Sequence, residues 1–194
     1  MIASGPSLVH WNYFVALTQD LEKISRYIEF HEDNYGVYSV ELAHLLLSAS
    51  SEIDVVLKLL CAYVDPAAAA SNINQYRDII TSGWPAMLGE KVYIPRYNLV
   101  LDPWENWRIG TTNPEWWKSY NEVKHERNAH FSKANLKNTL NAMAGLLVVI
   151  VHYYARFLGV TPESCLLKET TIRLSPFVEF ISLDAKHHYS PILG

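Results

Sequence analysis

The chain has 194 residues, 49% of them hydrophobic, and a formal net charge of −4. Length and composition fit one well-buried domain over residues 1–194 and are short for two. The acidic balance excludes a generic nucleic-acid coat, so any such contact has to come from a local patch. Two cysteines, Cys61 and Cys165, are too few for a disulfide framework and point to reduced thiols in a cytoplasmic setting. No basic stretch precedes the first apolar residues, so no signal peptide is expected. The longest apolar run, Ala142 to Val151, is well short of a bilayer span, and a soluble protein without membrane contact is expected.

Phe14, Leu17, Leu21, Ile24 and Ile28 recur at helical spacing and predict an amphipathic helix from about Asn12 to His31, ended by Asp33, Asn34 and Gly36. A longer helix is predicted from Ser39 to Val64, with Leu42, Leu46, Ala49, Ile53, Leu57 and Leu60 on one face and Pro66 closing it. Its other face carries Glu41, His44, Ser48, Ser51, Glu52 and Lys58, which reads as a solvated surface or as a polar strip with a role. A connector around residues 66–71 leads to a short helix over Ile73 to Ile80. From Gly83 to Trp107 the character changes to Trp- and Pro-rich. Val92-Tyr93-Ile94 and Leu99-Val100-Leu101 flank a Pro95–Asn98 turn and predict a β-hairpin. This segment is too apolar for a free linker; it reads as an insertion that packs its tryptophans on the bundle.

Asn113-Pro114-Glu115 carries a cap, a proline at the first helical position and an acid in the first turn, predicting a helix that continues through His130. Ser132 is then the expected cap of a last long helix, Leu136 to Leu158, which is apolar nearly all round and so belongs in the middle of the bundle. Gly159 is its stop, and Thr161-Pro162 starts a turn. The tail, residues 160–194, shows β-like alternation from Ile172 to Leu183, broken by Pro176.

The chemistry concentrates where those last two helices meet. Lys118, Lys124, Arg127, Lys133 and Lys137 stand against Glu122 and Glu126 between Trp116 and Lys137, a local +3 on an acidic chain. On a continuous helix Arg127 and His130 share a face, with Lys124 a turn before and Asn121 and His125 on the neighbouring strip. A phosphate ester is held by such charge and N–H donors, and histidine adds a group that exchanges protons near neutral pH. In metal-free RNA cleavage a base takes the 2′-hydroxyl proton while cationic donors stabilise the phosphorane oxygens. His130 fits the base or acid, Arg127 the anion stabiliser, and Lys124 with Asn121 the backbone contacts. The structural alternative is that these cations neutralise a helix C-terminus and pair with acids of a neighbouring helix.

The run Tyr120-Asn121-Glu122-Val123-Lys124-His125-Glu126-Arg127-Asn128-Ala129-His130-Phe131, followed by Ala134-Asn135-Leu136 and an apolar helix, resembles the HEPN superfamily. Ser51, Glu52, Asp54 and Lys58 match the polar positions of an early helix in such bundles. The resemblance implies an all-α up-and-down bundle of four to five helices, here with a hairpin insertion over residues 83–107. It also implies a homodimer with the polar groove near its two-fold axis. Many members are metal-independent endoribonucleases of toxin–antitoxin or phage-defence systems. Carried onto this chain, that assigns catalysis to Arg127, His130 and His125 and substrate contacts to Asn121, Lys124, Asn128, Ser51 and Glu52, with no cofactor. RNA or a nucleotide is the implied ligand and a cognate antitoxin or other protein the implied partner. Arg127-Asn128 matches the Arg-polar start of the family motif, while the gap to His130 is shorter than the family's; Lys124 to His130 gives the longer gap with lysine in place of arginine. A non-catalytic interaction bundle is the alternative.

A rival chemistry comes from Glu41-x-x-His44 and Glu122-x-x-His125, the spacing that puts two ligands on one metal in di-metal carboxylate bundles. Such a site needs a glutamate from each remaining core helix; Glu22 or Glu29 could serve from the first, and only His152 from the last. His187-His188 reads as an exposed tail. There is no glycine-rich phosphate loop, zinc pattern or nucleophile elbow.

Overall fold

The longest helix starts at a serine. In a computed structural model of the chain, which describes residues 8–158 with Thr170, Leu174, Pro176 and 178–183, Ser39 is extended and its side-chain oxygen accepts the Leu42 N–H at 3.1 Å. The chain order is α1 (Val9–Ile24), α2 (Val40–Val64), α3 (Ile73–Gly83), the strands β1 (Val92–Ile94) and β2 (Leu99–Leu101), α4 (Glu105–Ile109), α5 (Glu115–His125), α6 (Arg127–His130) and α7 (Leu136–Ala155), joined in places by short 3-10 turns. This is an all-α helical bundle with a small β-hairpin insertion.

The central pair is α2 and α7, with α1 and α5 each packed against both. The predicted apolar face of α2 is buried from Leu42 to Leu60, and every residue of α7 from Ala142 to His152 is buried. By length and composition α7 could cross a membrane, yet 83% of that stretch lies inside the fold, as in the core helix of a bundle.

Gly145 of α7 sets how closely the insertion docks. A Cβ there would lie 3.2 Å from the Trp116 ring and 3.5 Å from both Trp104 and Ile53. Trp104 contacts Trp107 and Trp116 at ring-centroid separations of 4.6 and 5.2 Å, and Trp116 Nε1 donates to the Pro103 carbonyl at 2.9 Å. The tryptophans therefore pack on the bundle, and the hairpin pairs as expected: Val92 with Leu101, Tyr93 with Val100, Ile94 with Leu99. Asn98 closes its turn at φ 51°, the left-handed region that asparagine tolerates. Tyr93 and Ser182 exchange two backbone hydrogen bonds, of 2.8 and 2.9 Å, so part of the tail lies along the hairpin.

Several boundaries differ from the sequence expectation, among them the last helix, which ends at Ala155 and passes into a 3-10 turn through Leu158. The first helix ends at Ile24 instead of near His31: Ser25 Oγ bonds the Glu22 carbonyl at 2.7 Å, and the next N–H groups turn back three residues instead of four. The helix expected to run unbroken through His130 leaves helical geometry at Glu126, φ −136° and ψ 57°, which splits it into α5 and α6. No proline or glycine marks that break, so the pattern reads straight through it. The cap of α7 is Asn135, whose side chain accepts the Asn138 N–H at 3.0 Å; Ser132 lies in the preceding 3-10 turn. The short α4 was not anticipated. Gly159, Thr161-Pro162, Cys165, His187 and His188 lie outside the described residues, as does part of the alternation from Ile172 to Leu183.

Candidate functional site: a groove between α2 and α6

The entrances to α2 and α7 are tied together by backbone. Leu136 N–H donates to the Val37 carbonyl at 2.9 Å and Lys137 N–H to the Tyr35 carbonyl at 3.2 Å. Those are among the N–H groups that a helix start leaves without intrahelical partners. Beside this tie lies a groove of about 510 Å³, lined by Val40, Ala43 and His44 of α2, Arg127 and Asn128 of α6, and Phe131.

Arg127 is exposed, and among the described residues it has no carboxylate within 4.0 Å. Asn128, next to it, is exposed as well. Across the groove His44 stands one turn from Glu41, with Nδ1 3.9 Å from a carboxylate oxygen, a distance too long for a hydrogen bond. Val40 is the first residue of α2, so the groove lies at the positive end of a long helix dipole, partly offset by Glu41. Phe131 meets Tyr38 edge to face at 5.5 Å, and Tyr38 is half exposed. The groove thus pairs an apolar floor with a guanidinium, an imidazole and a carboxamide.

Of the sequence-nominated residues, Arg127 and Asn128 are brought together here and the others are not. His130 does not line the groove; its Nε2 lies 3.7 Å from Glu126. The break at Glu126 leaves Lys124 on α5 and Arg127 with His130 on the short α6, so the three do not share one continuous helix. Lys124 Nζ donates to the Tyr120 hydroxyl at 3.2 Å, over that ring, and Asn121 Nδ2 donates to the Trp117 carbonyl at 3.0 Å. His125 is exposed at the end of α5. Ser51 and Glu52 lie about two turns further along α2 than His44, roughly 10–12 Å at 1.5 Å per residue. Ser51 is exposed there, and Glu52 Oε1 meets His10 Nδ1 of α1 at 2.6 Å, in a contact edged by Tyr153 and Tyr154. Glu52 therefore joins α2 to α1. The residue that the sequence did not place in the site is His44, whose signals were the polar face of α2 and the Glu41-x-x-His44 spacing.

The di-metal arrangement does not form. Among the described residues no three of His, Cys, Asp and Glu are grouped to hold a metal ion. Glu41 and His44 face solvent, while His152 is enclosed with Nδ1 accepting the Trp84 indole N–H at 2.9 Å. Burial pushes the His152 imidazole down to about 3 and the Cys61 thiol up to about 12, so neither supplies an ion near neutral pH. No family model matches the chain, and comparison with curated proteins and with solved structures gives no match.

Proposed function

We propose that the groove binds a nucleotide or single-stranded RNA, the activity expected of a HEPN-like bundle. The observation that carries this reading is Arg127: a guanidinium with no acidic partner among the described residues, beside Asn128, at the rim of an apolar floor that ends in Phe131. Guanidinium and carboxamide donors suit phosphate oxygens, and an aromatic edge suits an unstacked base. One imidazole and one guanidinium in the same groove are also the groups that metal-free phosphodiester cleavage uses.

Fluorescence anisotropy with a labelled oligoribonucleotide in EDTA tests the binding. Arg127→Ala is expected to weaken it about ten-fold or more, as for a lost charge-assisted hydrogen bond, and to lower the salt slope by about one. Equal binding by wild type and variant would remove the proposal. Shortening of the RNA in the same buffer separates an endoribonuclease from a protein that binds without cutting. Sedimentation tests the homodimer.

A second reading, an interaction bundle for an antitoxin-like or other protein, is favoured by the apolar lining. Val40, Ala43 and Phe131 make half of it, and Val37 and Tyr38 are exposed beside it. Loss of a protein partner in Val40→Asp, with RNA binding absent throughout, would select this reading.

A further inference from the structure

We infer that His44 of α2 is the imidazole that contacts the ligand phosphate, opposite Arg127 of α6, and that His130 has no part in the groove. This rests on the nucleotide-binding reading above and identifies the second group of the clamp.

The geometry separates the two histidines. His44 and Arg127 line one concavity from opposite walls, whereas His130 lies outside it, turned towards Glu126. Groups on two different helices can hold an anion between them. Arg127 and His130 share the short α6, and of the two only Arg127 lines the groove. Among the described residues the ion-pair partner within 4.0 Å of His44 is Glu41 on its own helix, and Arg127 lines the same groove from α6. At 3.9 Å Glu41 makes no hydrogen bond to the ring, and no other described residue does, so among the described residues the ring nitrogens remain available to a ligand. Phosphate fits this set: it accepts from guanidinium and imidazole together and has the positive end of α2 behind it. Phe131, edged by Tyr38, then lies where a base attached to that phosphate can rest. The occupant is thus a nucleoside phosphate or a short single strand, bound by phosphate and one base.

The test uses adenosine 5′-monophosphate and a labelled oligoadenylate with the full chain. Long-range proton–nitrogen NMR reports each imidazole separately. On addition of the nucleotide the His44 ring nitrogens are expected to shift while those of His130 stay in place. His44 is exposed, so replacing it leaves the core intact. In anisotropy His44→Ala is expected to weaken binding about ten-fold, His130→Ala less than two-fold, and His44→Arg to restore most of the affinity. Shifts at His130 with His44 silent would overturn the inference. So would Arg127→Ala weakening binding while His44→Ala leaves it unchanged, an outcome that keeps the proposed function. Binding insensitive to Arg127, or no binding of either probe, defeats both.

Discussion

The acid sensitivity of this fold can be worked from one side chain. The Trp84 indole N–H donates to His152 Nδ1 at 2.9 Å, so the imidazole proton sits on Nε2, and protonating Nδ1 would set two donors against each other. His152 is also 3% exposed, and its imidazole is held down to about 3 by burial, against an ordinary value of 6.5. The unfolded chain therefore takes up this proton below about pH 6.5 while the folded chain resists it until about pH 3. Stability is in full force above the unfolded value and falls as the solution is acidified between the two. At 1.36 kcal/mol per unit, going from about pH 7.5 to about pH 5 removes on the order of 2 kcal/mol through His152 alone. Urea denaturation at those two pH values measures the total loss, to which surface groups also contribute. His152→Gln keeps an acceptor for Trp84 and cannot titrate, so its loss between the two pH values should be smaller by about 2 kcal/mol. A lower stability of the variant at both pH values does not affect the comparison, which is a difference between them. An identical loss in wild type and variant would refute the reasoning, since it would mean that the folded chain accepts the proton on His152 freely.

Gly145→Leu should destabilise by at least about 1–3 kcal/mol, read as a lower urea midpoint, because its side chain would enter the space held by Trp116 and Trp104. Asn135→Ala should cost about 1 kcal/mol by removing the acceptor for Asn138 N–H, and Asn135→Ser should recover most of it in the same denaturation series.

The bundle could be read in the sequence because its core helices carry period and composition together. Leu42 to Leu60 repeat on one face, and the run from Ala142 to Val151 leaves α7 nowhere to go but the interior. The hairpin was legible from its apolar triplets around Pro95–Asn98, where proline and asparagine set the turn. The groove was legible only on one wall. Arg127 and Asn128 stand out through local charge, but the break at Glu126 has no local marker, with neither proline nor glycine beside it. His44 stood out only as half of the Glu41-x-x-His44 pair, not as a groove residue. Its spacing is that of a solvated helix face, and only tertiary packing shows that this face borders a concavity. The cap of α7 was misplaced by three residues because Ser132 and Asn135 are both good capping types, and the backbone of residues 35–37 selects the second.

That same backbone strap, Val37 to Leu136 and Tyr35 to Lys137, has a consequence for variation. It fastens the frame of the groove through main-chain atoms, which any residue except proline at 136 or 137 supplies equally well. Side chains facing the concavity can therefore be exchanged without shifting its walls. Ligand preference is separable from folding at this spot, and swapping the exposed residues 40, 44 and 128 in combination is a practical route to retuning what the chain holds.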